Sequence, residues 1–385
     1  MELPTFEQIL SQIKLNFWIM GIRFYDPKIY FRFYFQCFLL VLMIVAEVSY
    51  FVSKISSNNL VDLCELAPCI FIGALSFLKI LFLVMKKEMI FELTDCLQSL
   101  YVDAVSSLRQ KMLIGNEVVN LNKLLRYYFI LNAVLIWVYN LAAPVFMIYH
   151  YAVKGEVVFS LPYAILVPFP TDMWSTWFIV YVFSISCGCI CVLFFTTADA
   201  LFCIFTSQIC NNFAILSDEV LNINRKNVTA LGKIVQRHQY LLKLSKDLDD
   251  IFKLSNLCNY LVGSLEICAL GFSLTMGNWS HFLGYVLFLV SVLLQILMMS
   301  VFGENLITES RKVGEAAYLC DWHGMDQKAK KTILIIMIRS HKQQQLTAFK
   351  FSVISYGSFS RIISTSWSYF TILRTVYKPQ GSYST

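Results

Sequence analysis

Charge is what this chain has least of. Asp, Glu, Lys and Arg make up 15% of its 385 residues, against 57% hydrophobic residues. Soluble domains carry about 25% charged residues, so a chain wetted over its whole surface is excluded. Histidine is scarce too, with five copies (His150, His238, His281, His323 and His341) spread along the chain. No His-Glu-x-x-His pair, Gly-x-Ser-x-Gly elbow or phosphate-cradling glycine loop occurs. Their absence removes the zinc-protease, hydrolase and P-loop classes. No enzyme, cofactor or metal is expected. The residues after Met1 (Glu2, Leu3, Pro4, Thr5, Phe6, Glu7) lack a basic start and an apolar core, so no signal peptide is expected. Proline is missing between Pro170 and Pro379, which leaves the last spans without proline kinks.

What is present is grease. A mean hydropathy of +0.62 implies an all-α polytopic membrane protein. Twelve cysteines occur, most inside apolar runs, where thiols behave as small hydrophobes. Cys187-Gly188-Cys189-Ile190-Cys191 has metal-like spacing, but alternate residues point to different sides of a helix and no histidine accompanies them. Seven segments are long and apolar enough to cross a bilayer: 33–52, 66–85, 127–149, 174–198, 257–277, 281–303 and 346–373. The connections on the side of the N terminus hold 24 Lys and Arg, those on the other side 4. The basic side is cytoplasmic, so the N terminus is expected inside and the C terminus, after seven crossings, outside.

That orientation is opposite to the one of a G-protein-coupled receptor. No Asn-Pro-x-x-Tyr lies in the seventh span and no Asp-Arg-Tyr follows the third. A carrier is the other alternative. Two cytoplasmic connections repeat apolar residues at steps of three and four. They are Ile90, Leu93, Leu97, Tyr101, Ala104 and Leu108, and Leu231, Ile234, Val235, His238, Leu241 and onward to Phe252. These read as amphipathic helices continuing the spans below the membrane as a helical anchor. The stretch 151–173 carries Pro162, Pro168 and Pro170 and reads as an irregular outer cap.

Ionisable residues inside spans carry a functional hypothesis by default. By helical rise Glu47 and Lys79 fall at different depths, so they are not expected to pair. Lys79 is expected to snorkel toward Lys86 and Lys87, and Glu266 to make a structural hydrogen bond. The outer halves of spans two to six carry Phe71, Trp137, Tyr139, Phe146, Trp177 and Phe178. Tyr181, Phe272, Met276 and Tyr285 complete the set. A pocket for small apolar molecules is a dry aromatic cavity, and part of this set is expected to line one, the rest to pack or anchor the interface.

The last span is not oily all round. Ile354, Ser358, Arg361, Thr365, Tyr369 and Ile372 fall on one side at steps of three and four. Such a stripe avoids lipid. It faces either other helices or the water of a pore.

Sequence motifs separate those two. The chain reads Phe302-Gly303-Glu304, then Ala316-Ala317-Tyr318 and Trp322, then Leu346-Thr347-Ala348, and closes on Ser368-Tyr369-Phe370-Thr371-Ile372-Leu373-Arg374. In these motifs it resembles the insect odorant receptors. It departs from them at Gln343-Gln344-Gln345, where that family commonly places a proline. The resemblance implies an odour-tuned subunit of a ligand-gated, non-selective cation channel. The subunit would assemble as a heterotetramer with the odorant receptor co-receptor (Orco) in the plasma membrane of olfactory sensory neuron dendrites. Its partners would be a small volatile odorant and the lipid bilayer, with no nucleic acid. It further implies that residues 1–345 hold six spans, the ligand pocket and the anchor. Residues 346–385 would supply the pore-lining helix and an extracellular tail. The polar stripe would then line the pore, with Ile372 as its hydrophobic constriction and Thr375 at the mouth.

Overall fold

Apolar backbone can satisfy its hydrogen bonds in a bilayer only within helices or closed barrels, and this chain uses helices throughout. The computed structural model describes residues 3–23, 26, 28–55, 60–276 and 282–376. Among them run α1 (Phe6–Met20), α2 (Phe31–Ile55), α3 (Leu60–Met85), α4 (Lys87–Ser106) and α5 (Leu108–Lys154). They are followed by α6 (Trp174–Leu221), α7 (Leu231–Met276), α8 (Phe282–Leu319), α9 (Gln327–His341) and α10 (Tyr356–Val376). Helices α2, α3, α5, α6, α7 and α8 are each long and apolar enough to cross a membrane. Helix α10 has 21 residues, about 31 Å at 1.5 Å per residue. It is long enough to be the seventh span but more polar than the others.

Helices α5 to α8 run 47, 48, 46 and 38 residues, well beyond the ~20 residues a bilayer needs. In α7 the excess, Leu231 to Phe252, is the amphipathic continuation expected from sequence, while the other expected repeat forms the separate helix α4. In α4 the repeat Ile90, Leu93, Leu97, Tyr101 and Ala104 is buried as predicted, whereas Leu108 is exposed. Helix α6 is the axis of the bundle. Every residue from Phe194 to Phe213 is buried, as befits a helix wrapped on all sides by α1, α4, α5, α7 and α8.

The seventh helix does not begin where its apolar run begins. Thr347–Ala348 (β1) and Ser352–Val353 (β2) pair antiparallel in a small hairpin. Phe349 and Lys350 occupy its turn at φ 46° and 68°, the positive-φ pair that a tight hairpin turn requires. Ile354 follows the hairpin, donates its N–H to the Leu346 carbonyl at 2.8 Å, and is fully buried. The expected helical start at residue 346 is therefore corrected to Tyr356, and Ile354 lies off the helix altogether.

Two of the short motifs, Phe302-Gly303-Glu304 and Leu346-Thr347-Ala348, meet here. A Cβ on Gly303 would sit 2.3 Å from the Ile354 carbonyl oxygen, so only glycine lets the hairpin seat on α8. Glu304 accepts from the first N–H of α10, at Tyr356, over 3.2 Å, which suits a helix N-terminus. Thr347 donates its backbone N–H and its hydroxyl to Asp249 of α7, at 2.6 and 3.0 Å, between the buried Leu346 and Ala348.

Candidate ligand cavity and pore-facing helix

A cavity of about 80 Å³ lies at mid-depth between α2, α3, α5, α6 and α8. Met43, Ile44, Ile72, Ile136, Phe195 and Phe288 give it apolar walls. Its lid is the α5–α6 loop, which drops Tyr163 into the roof. The loop is tied down by Leu166 N–H donating to the Ala46 carbonyl at 3.1 Å and by Trp177 Nε1 donating to the Ser160 carbonyl at 2.7 Å. A second chamber of about 210 Å³ adjoins it toward the loop end, bordered by Glu65, Leu161 and Tyr285. Glu47, Cys69, Tyr139 and Tyr163 face both chambers.

Two of the cavity's polar residues answer each other. Ser291 Oγ donates to Asn132 Oδ1 at 3.1 Å, and Asn132 Nδ2 donates to the Tyr128 carbonyl at 2.9 Å. Below the floor lies an ion pair. Lys79 Nζ donates to both carboxylate oxygens of Asp199, at 2.8 and 2.9 Å, and the Tyr128 hydroxyl donates to the same carboxylate at 2.9 Å. The ammonium sits 3.7 Å from the centroid of Phe195, whose ring forms part of the floor. Lys79 is fully buried; it does not snorkel, because Asp199 of α6 supplies a partner at its own depth. Glu266 is buried as well, yet among the described residues neither of its carboxylate oxygens has a hydrogen-bond partner. The structural hydrogen bond expected for it is not made.

The aromatic set separates by position. Tyr139 lines the cavity, its ring edge-on to Phe288 at 6.1 Å, and Tyr285 lines the outer chamber. Trp177 and Tyr181 stack on each other at 4.8 Å, and the Tyr181 hydroxyl donates to the Asn140 carbonyl at 3.0 Å; they brace the loop. Phe272 and Met276 pack with Phe370 of α10. Phe71 is half-buried on α3 away from the cavity wall. Trp137 borders an open groove on α5, and Phe146 and Phe178 are exposed. Of the cavity lining only Tyr139 was in the predicted set; the missed residues include Met43, Ile72, Phe195 and Phe288 and, among the polar ones, Glu47 and Tyr163. The acid inside a span was a signal for Glu47; nothing in the loop singled out Tyr163.

Helix α10 leans on α7 and α8 through Ser358, Ile362, Ser366 and Phe370, all buried. Ser366 Oγ donates to the Ser264 carbonyl of α7 at 3.0 Å. Ser358 is turned inward and bonded to Ser352 at 2.8 Å and to the Val353 carbonyl. Among the described residues nothing covers the opposite face, where Arg361, Ser364, Thr365, Ser368, Tyr369, Ile372 and Thr375 are exposed. The expected stripe thus loses Ile354 and Ser358 to the interior and retains the rest. The tail from residue 377 lies outside the described residues.

Fold and cavity together define a polytopic helical membrane protein with an apolar pocket among its helices. The chain belongs to the 7tm odorant receptor family, whose profile matches residues 59–367. It is similar to putative odorant receptor 92a of Drosophila melanogaster, with 24% identity across 98% of this chain and 97% of that one. Odorant receptor 85b of the same fly is 29% identical, over 78% of each chain. Among solved structures it is similar to the insect olfactory receptor OR5 from Machilis hrabei, with a TM-score of 0.77 at 14% identity over 96% of this chain and 98% of that one. The same receptor in complex with eugenol aligns with a TM-score of 0.76 at 14% identity, covering 97% and 98%. These relatives are receptors and not enzymes.

Proposed function

We propose that the chain is an odour-tuned subunit of a ligand-gated, non-selective cation channel. In this reading a small volatile enters the cavity between α2, α3, α5, α6 and α8, and α10 forms one wall of a central pore. The co-receptor supplies other walls in a heterotetramer. The N terminus is cytoplasmic, the C terminus extracellular, and the protein sits in the plasma membrane of an olfactory sensory neuron dendrite. The observation that carries the reading is the uncovered face of α10. A transmembrane helix with one buried face and a Ser/Thr-rich opposite face cannot leave that face in lipid, and a water-filled axis shared between subunits satisfies it.

Ligand and pore meet through the elements already described. Helix α7 holds α10 by the Ser264 contact and by Phe272, while α8 contributes both a cavity wall and the Gly303 seat. A ligand that binds more tightly when these helices are spread shifts the population toward the spread state. The long ends of α5–α8 with α4 and α9 form the cytoplasmic anchor, and exposed Leu334, Ile335 and Ile338 on α9 offer apolar surface to a neighbouring subunit. Co-expression with the co-receptor and recording of currents against a panel of volatiles tests this. Odorant-evoked cation current is expected, and its absence for every volatile despite surface expression would overturn the reading.

A further inference from the structure

The cavity is apolar except at a few points, and two of them no described residue satisfies. Glu47 is 6% exposed and lines the cavity, yet it makes no hydrogen bond or ion pair with any described residue. The Tyr163 hydroxyl hangs in the roof, buried and without a partner among the described residues. Beside each stands a glycine. A Cβ on Gly73 would lie 4.0 Å from Glu47 Oε2, and one on Gly188 would lie 2.6 Å from the Tyr163 hydroxyl oxygen. At Gly188 the backbone thus withholds bulk from the Tyr163 hydroxyl, whereas at Gly73 the added carbon would reach Glu47 only in ordinary van der Waals contact. Orphaned buried polar atoms cost about 1–3 kcal/mol each, and native interiors rarely leave them unless something else arrives to pair with them. The nearby buried cation Lys79 is already committed to Asp199.

Resting on the receptor reading above, we infer that this cavity selects volatiles carrying a hydrogen-bond donor, an alcohol or an amine, which the Glu47 carboxyl and the Tyr163 hydroxyl hold by its polar head. A carboxyl group accepts a hydrogen bond whether or not it is ionised, so a donor-bearing ligand satisfies Glu47 in either state. An ether, an ester or a hydrocarbon does so in at most one. The hydrocarbon tail then lies along Ile72, Ile136 and Phe288. Sites built to bond a polar group reject analogues lacking it far more strongly than apolar pockets reject a missing methylene.

The test uses the full chain with its co-receptor and a matched set: hexan-1-ol, hexylamine, methyl pentyl ether and heptane. Dose–response curves are normalised to surface protein. The alcohol and the amine are expected to be about tenfold or more potent than the ether and the hydrocarbon. Glu47→Leu should cut donor potency about tenfold while leaving heptane unchanged or improved, and Glu47→Gln, which can still accept, should keep most of the alcohol response. Tyr163→Phe preserves shape and should weaken the alcohol and the amine while leaving heptane unchanged, which keeps the test decisive if Glu47→Leu fails to reach the surface. Equal potency across the set, or donor potency unmoved in Tyr163→Phe, overturns the inference and leaves the receptor reading standing. No current with any member, despite surface expression, overturns both.

Discussion

At the scale of single residues, Gly188 does more for the cavity than any aromatic around it. An alanine there would meet the Tyr163 hydroxyl at 2.6 Å and Ile136 Cδ1 at 2.9 Å, so the roof and one wall must both give way. Gly188→Ala is predicted to reach the surface normally and to lose response to bulkier ligands first; an unchanged size cut-off across a homologous series would refute this. Lys79 and Asp199 behave as one unit. Removing one partner of a buried ion pair costs about 3–5 kcal/mol, whereas replacing both by apolar residues is often neutral. Lys79→Met alone is thus expected to cut surface expression and thermal stability sharply. Lys79→Met with Asp199→Leu should recover most of both, and additive losses in a double-mutant cycle would contradict the pairing.

Elements carry the next set of consequences. Ile372 is the bulky aliphatic residue near the far end of the uncovered face of α10, 58% exposed within one chain. If that face meets its counterparts around a pore, a ring of such residues closes it by excluding water. Ile372→Ser is then expected to raise current without odorant or to change ion selectivity, and wild-type basal current at normal surface density would place the gate elsewhere. The sequence displayed this helix only in part. Its polar stripe was legible from spacing, but its start was not, because Phe349 and Lys350 adopt positive φ with no Gly, Asn or Pro to announce a turn. The apolar spans were legible because twenty-residue hydrophobic runs have few other readings. Asp199 lies one residue past the expected end of the fourth span at Ala198, inside an apolar run that continues to Phe205, and its role depends on which face of α6 meets α3. Most of the cavity was hidden for the same reason: periodicity tells which side of a helix is apolar, not which neighbour it meets.

For the molecule as a whole, α5 to α8 are long continuous helices whose far ends extend well beyond the cavity. His238 sits buried in the long end of α7. Burial, and then the nearby Arg339 charge, lower its pKa from 6.5 to about 4. A group whose pKa is lowered on folding stays neutral in the native state while the unfolded chain already binds a proton. Between those values stability therefore rises with pH. It is full above about pH 6.5 and is lost as pH falls toward 4. Solubilised protein is predicted to melt at lower temperature as pH drops from 7.5 to 5, and His238→Gln should flatten that dependence. Parallel melting curves for both proteins would remove His238 as the cause.

The ion pair beneath the cavity also sets an order of events during synthesis. Lys79 leaves the ribosome 120 residues before Asp199. At roughly 5–20 residues per second, α3 exists for many seconds with a cation and no counter-charge. A lysine at the centre of a lone span is costly in lipid, so α3 is predicted to remain beside the insertion machinery until α6 emerges, and only then to move into the bilayer with it. Crosslinking of chains arrested before Asp199 should find α3 still against the translocation channel, and chains arrested after α6 should find it released; release at the shorter length would show that the lysine is tolerated alone. Two of the five helices around the candidate cavity would thus enter the membrane as a pair, and the space between them would be present from the moment they do.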